Sequence, residues 1–210
     1  MKTSILKPAI LLLISVALMS HTSCKKNDEV VNVQQNTPTT TLTQSEEDML
    51  LFMLEEEKLA RDTYIYFDNY WGLNQFANIK NSEQNHMELV AALLTSYGVD
   101  YEILPEGEFS NPNLQSLYDD FIIIGEESEV AALTVGATIE DLDIFDLRQS
   151  IESTNKADLI QVLEQLLCGS GNHMQGFTQG LTNFGSSYTP QYLTQEEYQE
   201  ILDAPHGGCQ

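Results

Sequence analysis

The sequence predicts an all-α domain, a bundle of four long helices arranged as two antiparallel hairpins with a long crossover between them. Three observations carry this expectation. Four long stretches repeat apolar residues at alternating steps of three and four, the spacing of a bundle seam. Short turns around Trp71-Gly72 and Thr154-Asn155 join the first stretch to the second and the third to the fourth, so each pair is a helical hairpin. No segment alternates apolar and polar residues over the length of a strand.

The first helix is expected over residues 44–70, capped by Thr43 or Ser45, with Glu46 and Glu47 in its first turn where the helix dipole favours them. The second spans 74–97 and stops at Gly98. Residues 99–112 form a connection holding Pro105, Gly107 and Pro112, and a short helix over 113–124 ends at Gly125. The third long helix covers 128–152, and the fourth covers 156–184, ending at Gly185. A capped turn begins at Thr194, with Glu197 three residues on. Residues 202–210 read as a flexible tail.

Charge and the N-terminal residues bound the function. The chain has 210 residues with Lys+Arg 9 and Asp+Glu 32, a formal net charge of -23. It has no basic footprint for nucleic acid, and its folded surface would repel anionic lipid headgroups. Lys2 and Lys7 precede an apolar run over residues 9–19, which has the length of a signal-peptide core and is too short to span a membrane. Ser23-Cys24-Lys25-Lys26 follows, and the whole resembles a bacterial lipoprotein signal. That resemblance implies a signal over 1–24, lipidation of Cys24, and a cell-envelope protein that meets the membrane only through its lipid. Residues 25–42 read as a disordered tether similar to those of Bacteroidetes lipoproteins, leaving one domain over 43–201. Cys168 is read as packing, with a bridge to Cys209 left open outside the cytoplasm.

The seam is interrupted in the middle of every long helix. The first runs Leu50, Met53, Glu57, Ala60, Tyr64, Phe67, Trp71. The second runs Phe76, Ile79, Glu83, His86, Val90, Leu93, Tyr97. The third runs Leu133, Ala137, Glu140, Ile144, Leu147, Ile151, and the fourth Leu159, Leu163, Leu166, Ser170, His173, Phe177, Leu181. A carboxylate in a bundle core is costly unless it is paired or bound to metal. At a rise of about 1.5 Å per residue, the interruptions all lie about 20 Å from their hairpin turns, which puts them in one layer. Glu83 and His86 are three apart, so both reach one point from one helix face.

These residues carry a family resemblance. Glu57-Lys58-Leu59-Ala60-Arg61-Asp62-Thr63-Tyr64 resembles the first-helix motif of rubrerythrins, and Ser82-Glu83-Gln84-Asn85-His86 resembles their second-helix Glu-x-x-His. Glu140-Asp141-Leu142-Asp143 is similar to the third-helix Glu-x-x-Glu, shortened to Asp, and His173 matches the fourth-helix His. The wider pattern resembles a bacterial and archaeal family of ferritin-like domains with no assigned function. The resemblance implies a ferritin-like four-helix bundle with Glu57, Glu83, His86, Glu140, Asp143 and His173 as metal ligands and Tyr64 as a catalytic residue. It implies iron, mononuclear or dinuclear, with manganese or zinc as alternatives. The chain departs from the pattern at Ser170, where rubrerythrins place a bridging Glu.

The expected function is that of a peroxidase- or ferroxidase-type metal protein. It would act on a small oxidant, take electrons from a separate donor because no rubredoxin-type Cys pairs are present, and a homodimer is compatible with it. A non-catalytic metal-binding or storage module and a helical interaction module are the competing readings.

Overall fold

The computed structural model describes residues 41–209. The lipoprotein-type signal, Cys24 and the tether up to residue 40 lie outside the described residues. The described residues form six helices and no strand: α1 (Gln44–Trp71), α2 (Asn74–Tyr97), α3 (Pro112–Gly125), α4 (Glu129–Ser153), α5 (Ala157–Asn183) and α6 (Gln195–Asp203). No helix among them is long and apolar enough to cross a membrane.

Local signals set the helix ends. Thr43, not Ser45, caps α1, and its hydroxyl and backbone pair reciprocally with Glu46. Gly72 and Gly98 end α1 and α2 in the left-handed region, φ 66° and 71°. The same reciprocal cap, Thr194 with Glu197, starts α6.

The four long helices form a helical bundle. α1 and α2 make one hairpin and α4 and α5 the other, and α1 packs on α4 while α2 packs on α5. The diagonal pairs make no close backbone approach. All but the last residue of three seams, and every residue of the fourth, is buried. The apolar core divides in two. One cluster holds Tyr64, Phe67, Phe76, Leu133, Phe177 and Leu181. The other holds Leu50, Met53, Val90, Leu94, Leu159 and Leu163. The interrupted seam positions fall between them in sequence on α1, α2 and α5, while on α4 the first cluster reaches past Glu140 to Ile144.

Charged side chains off the seam tie the loops to this frame. Lys58 Nζ sits 2.5 Å from Asp62 Oδ2 and donates to the carbonyls of Pro105 and Glu108. Glu55 accepts Ser110 N–H and Asn111 N–H at 2.6 and 2.9 Å. The crossover before α3 is thereby held by the outer face of α1. Asp141, fully buried on α4, accepts Tyr188 O–H and the backbone N–H groups of Gln191, Tyr192 and Leu193. Asp141→Ala would orphan three backbone donors and is expected to cost about 3 kcal/mol. Urea unfolding should show the loss, and limited proteolysis should begin near residue 190.

The segment after α6, read from sequence as a free tail, lies against α5. A disulfide joins Cys168 to Cys209, Cα atoms 5.6 Å apart. Gly207 N–H donates to Asn172 Oδ1 at 2.7 Å, and Gln175 Nε2 donates to the carbonyls of Ile201 and Ala204. Cys168 stands off the seam because it faces this tail. Seam periodicity says nothing about such a contact.

Candidate metal centre

The polar layer gathers one or more side chains from each long helix. α1 brings Glu57, α2 brings Glu83 and His86, α4 brings Glu140 and Asp143, and α5 brings Ser170 and His173; all are buried. Glu83, His86 and His173 each offer a ligand atom within 4.8 Å of the others, and they are the one such group of metal-ligating residues among the described residues.

His86 Nδ1 lies 2.9 Å from Glu83 Oε2 and 3.1 Å from Glu57 Oε2. His173 Nδ1 lies 2.8 Å from Glu83 Oε1 and 3.5 Å from Glu140 Oε2. The approach of His173 Nδ1 to Glu83 Oε1 is close but misaligned, so neither atom has a hydrogen-bond partner. Glu57 Oε1 and Asp143 Oδ1 also lack one. Buried polar atoms are almost always satisfied. Several such orphans in one buried layer make it a candidate for metal ligation. The imidazole rings lie nearly parallel, 5.4 Å apart.

Two features of the local sequence make room for this. Gly169 packs against the back of the His86 ring: a Cβ there would stand 2.4 Å from Nε2. The glycine thus costs helix propensity but lets His86 turn Nδ1 towards the carboxylates. Ser170, where the rubrerythrin resemblance expects a Glu, donates its hydroxyl to Asp143 Oδ2 at 2.5 Å. A carboxylate is therefore present beside this position, but it comes from α4.

Tyr64 is fully buried between Phe76 and Phe177. Its hydroxyl donates to Glu140 Oε1 at 2.5 Å and lies 3.3 Å from the carbonyl of Gly136. It touches a candidate ligand rather than the ligand triad itself. Burial and the Glu140 charge push its phenol well above the ordinary range, so it is held as a donor.

Electrostatically the layer behaves as a set of anions sharing too few cations. Burial pushes Glu57 up to about 7 against the pull of His86. Burial, with the Glu83 charge, also pushes Glu140 up to about 7. Burial opposes ionisation of Glu83 too, but His173 and His86 outweigh it and hold the carboxyl well below the ordinary range. Burial opposes protonation of His173, yet Glu83 and Glu140 raise it to about 10. Glu57 and Glu83 likewise raise His86 well above its usual value despite burial. Asp143 is pushed well up, by burial first and then by Glu57 and Glu140. Protons on the two imidazoles supply the positive charge that the carboxylates demand, and a divalent cation would supply it instead.

The residues singled out from sequence therefore stand in or beside one layer. Sequence reasoning weighed Glu56 only as a neighbour that could stand in Glu57's place as ligand. It is 2% exposed, sits between Glu55 and Glu57, and has neither carboxylate oxygen partnered. The available signal was the row Glu140, Asp143, Asp146 at steps of three, which presents acids along the α4 face.

The chain is 47% identical over 169 residues to "Uncharacterized protein MJ0754" of Methanocaldococcus jannaschii, covering 80% of this chain and 91% of that protein. The crystal structure of hypothetical protein MJ0754 from Methanococcus jannaschii superposes with a TM-score of 0.78 at 46% identity, covering 81% of this chain and 98% of that one. The family model described as "Uncharacterized protein domain (DUF2202)" matches residues 46–205, and the chain belongs to that family.

Proposed function

We propose that this protein is a ferritin-like metal protein of the cell envelope. Its polar layer binds one or two first-row transition-metal ions between Glu57, Glu83, His86, Glu140, Asp143 and His173. The observation that carries the reading is the misaligned, unpartnered convergence of Glu83 Oε1 and His173 Nδ1, with His86 completing a triad within 4.8 Å. Mixed oxygen and imidazole donors suit iron or manganese, with zinc as a competitor. The Cys168–Cys209 disulfide supports a compartment outside the reducing cytoplasm, as the lipoprotein-type signal does.

Iron held there would supply redox chemistry towards dioxygen or peroxide. The chain's own part is narrower. Tyr64 holds Glu140 in place through its hydroxyl and keeps a proton there. The aromatic cluster of Tyr64, Phe76 and Phe177 closes one side of the layer against water. Electrons would come from a separate donor.

A second reading, a non-catalytic metal-holding module, is favoured by one observation. Ser170 replaces the expected bridging carboxylate, and Asp143 spends one oxygen on it.

The test is metal content. Purified protein should retain iron or manganese near one or two per chain by mass spectrometry, and the Glu83→Ala/His86→Ala variant should lose it. Metal-free protein in both cases, even after anaerobic Fe(II) loading, would overturn the proposal. Rapid peroxide-dependent reoxidation of the Fe(II)-loaded protein would select the redox reading over the storage one.

A further inference from the structure

The bridge to Cys209 is the main hold on the residues after α6. Residues 204–208 are all exposed. Gln175 Nε2 donates to the Ala204 carbonyl, His206 Nδ1 lies 2.8 Å from Gln175 Oε1, and Gly207 N–H donates to Asn172 Oδ1. Each such bond contributes no more than the ordering of one residue costs. Gly207 and Gly208, at φ 87° and 89°, lose more freedom on being ordered than other residues would. The Cys168–Cys209 bridge is therefore what keeps the segment against α5. Neither cysteine is buried, and Cys168 lines a cavity of about 190 Å³ that Ala204 and Pro205 also line. A thiol can reach such a bridge, and accessible bridges are the ones that reductants open.

Two cavities of about 480 and 420 Å³ lie along α5 and meet at Gly176, Gln179 and His206. The second runs between α2 and α5 and reaches His173. His173 Nδ1 is sealed in the polar layer, so the 9% of its side chain that stays exposed faces this cleft. No Asp, Glu, Lys or Arg lines either cavity, on a chain with Asp+Glu 32. From α2 the cleft takes Asn74, Asn78 and Ser82 instead. It is a neutral approach to the layer on an acidic surface. Every residue lining the second cavity belongs to α2 or α5 except His206. That one wall can leave without disturbing the bundle.

We propose that the segment after α6 is a disulfide-held gate on the α2–α5 cleft, narrowed by His206, and that a dithiol reductant opens the cleft to small uncharged solutes approaching His173. One thiolate of the reductant attacks a sulfur of the bridge, and its second thiol displaces the mixed disulfide. The reductant becomes a disulfide, and the two electrons and two protons it gives up leave Cys168 and Cys209 as thiols. The gate stands on this geometry alone. Only what the opened cleft serves rests on the reading of the layer as a metal centre.

The test uses full-length, chelator-treated protein, so it does not depend on bound metal. Reduction by dithiothreitol should add two hydrogens by mass spectrometry and speed amide exchange over residues 206–208 by about tenfold or more, with α5 unchanged. Access is read by NMR as relaxation of the His173 ring by the uncharged nitroxide TEMPOL, with the fully buried Met174 methyl as reference. Cys168→Ser/Cys209→Ser should raise the His173 effect severalfold and leave Met174 silent. His206→Ala, which keeps the bridge, should raise it as well, and it alone decides if the double variant unfolds and exposes Met174. Amide exchange that reduction leaves unchanged overturns the latch. A released segment with His173 no more accessible in either variant overturns the gate. Failure of the protein to bind metal changes none of these outcomes, so the two readings fail separately.

Discussion

Gly169→Ala is expected to abolish metal binding at the proposed centre while leaving the bundle folded. The new Cβ would stand 2.4 Å from His86 Nε2 and 2.6 Å from Cε1, a distance no pair of non-bonded carbons or nitrogens tolerates. The imidazole is rigid and buried, so the ring itself must move, and Nδ1 moves with it away from Glu57 and Glu83. A ligand displaced by roughly 1 Å is expected to weaken binding by about a hundredfold. The fold should survive. Alanine gains about 1 kcal/mol over glycine in a helix, which offsets part of an overpacking cost of about 1–3 kcal/mol. Gly176→Ala is the matched control: its Cβ meets only Ile79 Cδ1, at an ordinary 3.6 Å. Metal content and thermal unfolding of the two variants separate a local from a global effect. Full metal retention in Gly169→Ala would show that His86 is not a ligand.

Metal-free protein is expected to be most stable in mildly acidic solution and to lose stability up to about pH 10. Glu57 and Glu140 have carboxyls raised to about 7, so between the ordinary carboxylate range and 7 the folded state holds more protons than the unfolded chain. His173, raised to about 10, does the same between the ordinary imidazole range and 10. Extra protons on the folded state mean that stability falls as pH rises through both windows. Glu83 acts oppositely: its carboxyl is depressed, so its contribution is present above the ordinary carboxylate range and lost in stronger acid. Together the raised groups contribute on the order of a few kcal/mol, or roughly 5–10 °C in Tm between pH 5 and pH 9. Metal reverses the trend, because the cation replaces those protons and binds better as they leave. Calorimetry at pH 7 should find about two protons released per metal-binding event. A Tm that climbs from pH 5 to pH 9 in chelator-treated protein would contradict this account of the layer.

The origin of the layer explains how much of it was legible beforehand. A bundle seam has one spacing, so a polar residue on it must be buried whatever the details of packing. Glu57, Glu83, His86, Glu140, Ser170 and His173 were found that way, and each is buried. Helix limits were legible for a similar reason. Gly72, Gly98, Thr43 and Thr194 act on their own few neighbours, and no distant contact competes with them.

Residues off the seam obey no such rule. Glu55, Glu56 and Glu57 are three consecutive acids with three different fates: one binds the crossover loop, one is buried without a partner, and one meets His86. Sequence periodicity sorts faces of a helix, but a residue at the margin of the seam is assigned by whatever packs beside it. Asp141 and Asp143 are likewise both buried, yet one gathers the segment before α6 while the other turns to Ser170.

The sequence by itself determined that four helices pair as hairpins and that each interrupts its apolar stripe at one common depth. Both follow from local spacing and chain length. Only the tertiary structure decided that His86 and His173 converge on Glu83, that Gly169 makes the space for it, and that Asp143 stands where α5 offers only Ser170. The same holds for the Cys168–Cys209 bridge that pins the C-terminal segment to α5. These are distances between residues far apart in the chain, set by how two hairpins seat against each other, and no spacing along one strand of sequence contains them.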